Sequence, residues 1–468
     1  LPLNTGYEVD RVTGDTVFMK KTKAGALNGY DVDMPLRFTH ERYGAALNLR
    51  ITGRENTRFF PYSQFYYDHY SICQPLQYRF KTRDYVIFAH GKSVSSDELI
   101  VEVSKSKFFY FVVKRKSTGT VIWDTSIGGM MFADKFIQIA TKLPSTKLYG
   151  FGENIHQTLK HDFTNYTTWG MFARDEFPNS AEKDGKNLYG VHGFYLALEP
   201  DNKAHGVLIL NSNAQEVTTM PGPALVYRTI GGMLDIFFFP GPTPEEVIQQ
   251  YTTFIGKPTL PAYFSLGFQL CRYGYKDLNE LKSVVSEVKE AKIPLDVVYA
   301  DIEYMHRYND FTVGEKWNGF GEYIRDLKVE GKRTILIFDC GIRADDDAFV
   351  RAIDQIMLAV VWPDGHTAFP DFYDRTGKTT KWWIKEFVNF HEKLEFDGIW
   401  IDMNEPAAFG TNEQYPWYFN YADHPNITSL KCPLIGDDSR YDNPPFKTFN
   451  VYRYGDNAHD FLGSRYAS

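Results

Sequence analysis

The strongest constraint on the fold is a change in the spacing of apolar residues near Pro240. Before this proline, short runs rich in β-branched and aromatic residues alternate with turn clusters such as residues 117–119 (Ser-Thr-Gly), a pattern typical of antiparallel strands. After it, apolar strands alternate with amphipathic helices, which favours a parallel sheet covered on both faces. We therefore predict an antiparallel β-sandwich over residues 1–240 and an α/β domain over residues 263–468.

Two β-hairpins are predicted within the sandwich. Residues 98–103 and 107–113 form the first pair of apolar runs. Residues 225–228 and 233–239 form the second pair, and the two glycines between them are the expected turn.

A connecting helix is predicted within residues 241–262. Residues 243–246 (Thr-Pro-Glu-Glu) form a capping box with proline at the first helical position, so the helix should begin there. It should end near Ile255, because a glycine and then a proline follow that residue closely.

Strands and helices alternate in the last part of the chain, and Asp277 is the expected cap of the first helix there. The last three predicted strands end in Asp301, Asp339 and Asp402. A doubly wound sheet and a (β/α)8 barrel both bind ligands at the carboxyl ends of their strands, and the absence of a Gly-rich nucleotide loop after the first strand favours the barrel. Four strands make up half of such a barrel. The predicted strands are residues 264–270, 295–300, 334–338 and 396–401.

Composition limits the classes of function. A chain of 468 residues exceeds one ordinary core, so two or three domains are expected. A net charge of −8 argues against nucleic-acid binding, and no apolar run is long enough to span a bilayer. The scattered cysteines contain no CxxC pair, which excludes the usual structural zinc signatures. These cysteines are Cys73, Cys271, Cys340 and Cys432.

Asp402 is the leading candidate for a catalytic residue. Hydrolysis of a glycosidic bond needs one carboxyl group to attack or activate water and another to protonate the leaving oxygen. A nucleophilic aspartate must be ionised and shielded from water on one side. Trp362, Trp400 and Met403 would provide that environment. On the residue pattern alone, the alternative is that Asp402 only caps a loop.

Residues 396–405 (Phe-Asp-Gly-Ile-Trp-Ile-Asp-Met-Asn-Glu) resemble the signature of glycoside hydrolase family 31, the family of intestinal maltases, sucrase-isomaltase and lysosomal acid α-glucosidase. The resemblance covers most of residues 1–410. It is stronger to the animal intestinal members (maltase-glucoamylase and sucrase-isomaltase) than to glycan-trimming hydrolases of the secretory pathway. It implies a β-sandwich followed by a (β/α)8 barrel, of which this chain contains about the first half. Further segments that resemble family motifs, in the expected order, are residues 148–153, 227–232, 300–305 and 369–372.

The resemblance also implies roles for individual residues. Asp402 would be the nucleophile, Glu405 a supporting active-site carboxylate, and Asp301 the ligand of hydroxyls on the nonreducing sugar. Asp175, on a loop of the sandwich, would extend toward the next sugar, the alternative being a solvated loop acid. The other residues that line the pocket or hold the sugar would be Ile302, Ile337, Asp339, Trp362, Trp400 and Met403.

Two features depart from the family pattern. The family usually continues with proline after Asp339, whereas Cys340 stands here and an acidic run at 345–347 follows. The family's acid/base is an aspartate within Gly-Asp-Asn on a later strand, and Asp456 is the candidate in this chain. Asp456 follows Asp402 at a spacing that is short for the family.

By resemblance, the function is that of a retaining exo-α-glucosidase, which releases glucose from the nonreducing ends of maltose-like oligosaccharides without a metal or organic cofactor. The alternative is an inactive relative that binds carbohydrate or a protein partner. Three explanations fit the short barrel: the sequence is part of a larger chain, residues 446–468 are joined across missing segments, or the protein has lost its catalytic half.

Location and partners follow from the same resemblance. N-glycosylation triplets begin at Asn165 and Asn426, which fits secretion. We expect an extracellular or secretory-lumen location, with any membrane anchor outside this segment. The expected partners are the oligosaccharide substrate and the remainder of the same enzyme chain, and no nucleic acid.

Overall fold

The described residues form two compact units. Along these residues, the first unit runs up to Lys257 and the second begins at Pro258. None of the helices in this part of the chain combines the length and the hydropathy that a membrane span requires. The computed structural model describes residues 6–22, 34–53, 96–133, 136–156, 158–171, 173, 178, 187–211, 213–343, 346–352, 358–361, 367–372, 374 and 376–405.

The described residues of the first unit form two antiparallel sheets and one α-helix. One sheet has the strand order β1-β2-β3-β4-β16-β13-β12-β10, and the other has the order β11-β14-β15-β9-β7-β6-β5, with β8 paired to β9. The helix, α1 (Pro244–Ile255), follows the last of these strands. In chain order the strands are β1 (Tyr7–Thr13), β2 (Thr16–Lys21), β3 (Leu36–Tyr43), β4 (Ala46–Gly53), β5 (Leu99–Val103), β6 (Phe111–Arg115), β7 (Val121–Asp124), β8 (Met131–Ala133), β9 (Phe136–Lys142), β10 (Leu148–Asn154), β11 (Thr167–Met171), β12 (Asn187–Leu198), β13 (Ala204–Ile209), β14 (Gln215–Met220), β15 (Ala224–Thr229) and β16 (Leu234–Phe239).

Aromatic side chains from both sheets meet in one hydrophobic core. Trp123 of β7 lies against Phe238 of β16, with the ring centroids 5.5 Å apart. Phe38 of β3 stacks on Phe111 of β6 at 5.1 Å. Each such pair contributes about 0.5–1.5 kcal/mol beyond the burial of its surface. The two sheets therefore pack face to face.

The first predicted hairpin is confirmed, and the second is wrong. Strands β5 and β6 pair antiparallel, with Leu99 opposite Arg115. Strands β15 and β16 both form, but β15 pairs with β14 and β9, whereas β16 pairs with β13 and β4 of the other sheet. The glycines between them therefore belong to a connection that crosses from one sheet to the other, and not to a hairpin turn.

Hydrogen bonds from a neighbouring loop hold this crossing. The Asn211 side-chain amide donates to the carbonyl oxygens of Gly231 at 3.1 Å and Met233 at 3.2 Å. Gly232 has a φ of 72°, a left-handed conformation that glycine adopts without steric cost. The same turn residues suit a hairpin and a connection between two sheets, so the sequence did not distinguish the two.

The predicted capping box of α1 is confirmed. The Thr243 hydroxyl accepts from the Glu246 amide at 3.2 Å, and the Glu246 carboxylate accepts from the Thr243 amide at 3.0 Å. These two bonds satisfy amides that the first helical turn leaves without partners. The helix ends at Ile255, as the glycine that follows it predicts.

Helix α1 buries one face against the sheet that contains β13 and β16. Val247, Tyr251 and Phe254 are the buried residues of the helix, and Tyr251 stacks on Phe194 at 4.1 Å. Gly206 of β13 lies directly beneath the helix, where an added Cβ would come 2.6 Å from a methyl group of Val247. The close approach of helix and strand therefore requires glycine.

A buried ion pair links the two sheets. Arg115 ends β6 in one sheet, and its guanidinium donates to Glu199, which follows β12 in the other, at 2.6 Å. The same guanidinium donates to the carbonyls of Ala204 and Pro240 at 3.0 and 2.8 Å. Burial would raise the pKa of Glu199, but hydrogen bonds from His205 and Arg115 lower it to about 2. The carboxylate is therefore ionised and fully paired inside the core.

The second unit contains a parallel four-stranded sheet, a small antiparallel sheet and four helices among its described residues. The parallel sheet has the order β17-β18-β19-β23, and the antiparallel sheet has the order β20-β22-β21. The sequence pattern did not predict the small sheet. In chain order the elements are β17 (Gln269–Leu270), α2 (Leu278–Glu290), β18 (Val297–Ala300), α3 (Phe320–Val329), β19 (Arg333–Asp339), β20 (Ile342–Arg343), α4 (Asp347–Ala352), β21 (Leu358–Val361), β22 (Thr367–Pro370), α5 (Lys378–His391) and β23 (Gly398–Asp402).

Three of the four predicted parallel strands are confirmed. The predicted cap of α2 is also confirmed, because the Asp277 carboxylate accepts from the Glu280 amide at 2.9 Å. The strand predicted at residues 264–270 is too long, because Tyr263–Leu266 is a 3-10 turn and only β17 pairs with β18. The Asp296 carboxylate occupies the space beside Gly267 and accepts from the next amide along the chain, which keeps this segment out of the sheet.

Alternation along β19 separates a helix-covered face from the opposite face. Phe338 packs against Phe387 and Phe390 of α5, at centroid distances of 4.7 and 5.9 Å. Because successive side chains of a strand point to opposite faces, Ile337 and Asp339 lie on the other face. The packing of α5 on β19 therefore decides which residues are available to a site.

The ion pair between the sheets gives a stability prediction. Replacing Arg115→Met should leave Glu199 buried without its cation and destabilise the protein by about 3–5 kcal/mol. The neighbouring Lys114 is 29% exposed and pairs with a half-exposed Glu102, so Lys114→Met should cost less than about 1 kcal/mol. Urea unfolding of both variants measures the difference. Equal losses would show that the buried pair has no special role.

Candidate active site

Parallel register brings three predicted site residues to one edge of the sheet. Asp339 of β19 pairs directly with Asp402 of β23. Ala300 of β18 pairs with Leu336, so Asp301 lies one residue beyond β18 and level with Ile337. The two-residue alternation then puts all three aspartates on the face opposite the helix-covered one.

Asp339 has a strongly perturbed carboxyl group. Burial raises its pKa, and the negative charges of Asp402, Asp301 and Glu405 raise it further, to about 7. Among the described residues, no donor is within hydrogen-bonding distance of its buried Oδ1 atom. Near neutral pH this carboxyl therefore binds a proton that an ordinary aspartate would have lost.

Asp301 is also buried and its pKa is raised. Burial is the main cause, the charge of Asp402 adds to it, and a hydrogen bond from the Ile302 amide at 2.7 Å opposes it. That bond is the cap of a short helical turn, Ile302–Tyr304. The turn fixes the aspartate at the end of β18.

Asp310 belongs to the same cluster and was missed by sequence reasoning. It is buried, and its carboxylate accepts from the Asp339 amide at 3.1 Å. Burial and the charge of Asp339 raise its pKa well above the ordinary value. Asp310 follows no strand and lies 29 residues before Asp339. No local pattern in the sequence could therefore have identified it.

Apolar side chains surround the carboxyl groups. Ile302, Ile337 and Met403 are buried. Ile337 is the ladder partner of Trp400, whose ring lies against Tyr299 with the centroids 5.9 Å apart. These residues lower the local dielectric and strengthen the interactions between the charges.

The described residues contain some of the predicted site and not the rest. Asp301, Ile302, Ile337, Asp339, Trp400, Asp402, Met403 and Glu405 fall within one unit and cluster around the carboxyl ends of β18, β19 and β23. The predicted glycosylation residue Asn165 is exposed. Asp175, Trp362, Asn426 and Asp456 lie outside the described residues.

The arrangement provides carboxyl groups in different protonation states. Crowded carboxyls in a poorly hydrated site cannot all be ionised, so one takes up a proton and allows another to remain an anion. The cluster can therefore offer an anionic nucleophile beside a neutral hydrogen-bond donor near pH 7.

Known proteins resemble this chain in sequence. Residues 258–461 match the TIM-barrel domain of the glycosyl hydrolases family 31. Human intestinal sucrase-isomaltase is 43% identical over 373 residues, which are 70% of this chain and 20% of the relative. Mouse lysosomal alpha-glucosidase is 39% identical over 342 residues, which are 69% of this chain and 35% of the relative. The chain thus spans about a third or less of these relatives.

Solved structures share the fold at low sequence identity. The glucosidase II alpha subunit, bound to Glc1Man2, aligns with a TM-score of 0.69 at 17% identity and covers 100% of this chain and 56% of its own. A GH31 dextranase of Flavobacterium johnsoniae in complex with glucose aligns at 0.61 and 18% identity, covering 86% of this chain and 48% of its own. The family model and the two sequence relatives confirm the resemblance carried by residues 396–405, and the barrel-domain region of this chain, residues 258–461, belongs to glycoside hydrolase family 31.

Proposed function

We propose that this protein is a retaining exo-α-glucosidase that hydrolyses α-linked glucose from the nonreducing ends of maltose-like oligosaccharides. The observation that carries the proposal is the register between β19 and β23, which sets Asp402 beside Asp339 at the carboxyl edge of a family 31 barrel domain. Relatives named sucrase-isomaltase and alpha-glucosidase support it. No observation on the described residues favours the inactive alternative.

In the proposed mechanism Asp402 attacks the anomeric carbon, and the bond to the leaving oxygen breaks as a second carboxylic acid protonates that oxygen. Water then attacks the glycosyl–Asp402 ester, giving its proton to the same second carboxylate and restoring both groups. Asp456 is the candidate for this acid/base, and Glu405 supports the nucleophile.

The remaining site residues are proposed to bind the sugar. Asp301 accepts from hydroxyls of the nonreducing glucose, and Asp175 contacts the next sugar. Aromatic and aliphatic surfaces pack against apolar sugar faces and exclude water. These surfaces are supplied by Ile302, Ile337, Trp362, Trp400 and Met403.

Asp339 is proposed to act as a neutral acid in the free site. Its pKa of about 7 means that it is protonated over much of the acidic range. In that form it can donate to a sugar hydroxyl. It also adds no negative charge beside Asp402, which must be ionised to attack.

We further propose that residues 1–240 are an antiparallel β-sandwich, that residues 241–262 connect the domains, and that residues 263–468 hold about half of the (β/α)8 barrel. The other half would belong to the remainder of the same enzyme chain. The exposed Asn165 suits glycosylation in the extracellular space or the secretory lumen, as does Asn426 by its sequence. A membrane anchor, where present, would lie outside this segment.

The nucleophile can be tested in the intact native protein. Asp402→Asn is nearly isosteric, so the fold should survive while kcat for maltose falls by on the order of 10⁴ or more. Asp397→Asn is the matched control, because Asp397 precedes the same strand at its opposite end and accepts from the Thr334 amide. This control should lose less than about tenfold in rate. Activity of Asp402→Asn within tenfold of the wild type would exclude Asp402 as the nucleophile.

The protonation of Asp339 can be tested through stability. Its pKa is about 7 in the folded protein and the ordinary value is 3.8, so the folded state binds more protons between these pH values and loses stability as pH rises through them. Asp339→Asn removes this loss. Its stabilising effect should be larger at pH 8 than at pH 5 by about 1 kcal/mol or more, since one pKa unit corresponds to roughly that free energy. Unfolding midpoints at both pH values measure it, and a pH-independent effect would contradict the assignment.

A further inference from the structure

The thiol of Cys340 lies where β19 and β23 stop pairing. The last ladder pair of these strands is Asp339 with Asp402. One residue further along each strand, the Cys340 thiol donates to the carbonyl oxygen of Met403, with Sγ and the oxygen 3.0 Å apart. A side-chain donor thus continues the contact between the strands beyond the backbone ladder.

The backbone of Met403 explains why a side chain takes this role. Met403 has a φ of 59°, in the left-handed region that residues with a side chain rarely adopt. The chain turns sharply there, so the Met403 peptide leaves the extended geometry on which the ladder depends. Such a conformation persists only where surrounding contacts hold it, and residues in strained conformations of this kind cluster at functional sites.

The thiol is suited to this contact over a wide pH range. Cys340 is buried, and burial raises its pKa well above the ordinary value, with the charges of Asp339, Asp310 and Glu405 adding to the effect. The group therefore stays an S–H donor and does not become a thiolate, which could only repel the carbonyl oxygen.

We propose that Cys340 is a positioning residue for the nucleophile: its thiol holds the Met403 carbonyl and so fixes the left-handed turn that orients the Asp402 carboxylate. The inference rests on the proposed function of Asp402. A thiol that only filled space would be replaceable by any apolar side chain of similar volume. A positioning donor would be replaceable only by another donor.

Variants of the intact native protein separate these two roles. Cys340→Ala removes the donor, Cys340→Ser restores one, and Cys340→Val fills the space without donating. Ile324→Val is the matched control, because it removes one methyl group from a buried residue of the same hydrophobic cluster, on α3. The probe is 5-fluoro-α-glucosyl fluoride, which should form an ester with Asp402 that is followed by mass spectrometry, alongside kcat/KM for maltose.

The expected result is a loss of about tenfold or more in labelling rate and in kcat/KM for Cys340→Ala and Cys340→Val, because small displacements of a reacting group are costly. Cys340→Ser should stay within about threefold of the wild type and Ile324→Val within about twofold. Amide hydrogen exchange over residues 403–405 should be faster in the alanine variant.

Other outcomes overturn one proposal at a time. If Cys340→Val keeps the wild-type labelling rate, kcat/KM and amide hydrogen exchange, the thiol only fills space. This conclusion holds even if Cys340→Ala fails to fold. A wild-type protein that is not labelled on Asp402 would refute the proposed function. In that case hydrogen exchange still tests whether the thiol holds the turn.

Discussion

The hydrogen-bonded register between β19 and β23 is the constraint on which the rest of the candidate site depends. In a parallel sheet all strands end at the same edge, so a carboxylate that closes one strand meets the carboxylate that closes its neighbour. The pairing of Asp339 with Asp402 is therefore a consequence of backbone geometry. A slip of one residue would turn one of the two side chains to the helix-covered face.

Crowding of like charges at this edge has a stability cost that the surrounding core must offset. Asp310, Asp339 and Asp301 all have raised pKa values, with burial as the main cause and neighbouring carboxylates as a further one. Phe338 and the helix that covers it anchor β19 from the opposite face. A site of this kind trades folding free energy for chemistry, as active sites commonly do.

Local sequence signals predicted what local interactions determine. The caps at Thr243 and Asp277 involve residues three apart, and both were identified correctly. Long-range contacts were the source of the errors and omissions. The partners of β15 and β16 lie in different sheets, and the bond from Cys340 to Met403 joins residues 63 apart. No periodicity carries such information, so the carboxylates at strand ends were predicted, whereas the groups that orient them were not.

The two units of the chain use buried charge in opposite ways. In the first unit Arg115 and Glu199 are fully buried, and the guanidinium also satisfies two backbone carbonyls. Arg115 also lies 3.6 Å from the carboxylate of Glu98, so carboxylates of the same unit balance its positive charge. In the second unit the buried carboxyls face other carboxyls, and Asp339 keeps an oxygen for which the described residues supply no donor. Buried carboxyls that face one another instead of a cation are the signal that separates a binding or catalytic cluster from a structural ion pair, because their oxygens can still bond to an external polar group. By that criterion the sheet edge that holds Asp402, and not the ion pair of the first unit, is where a polar ligand such as a sugar would bind.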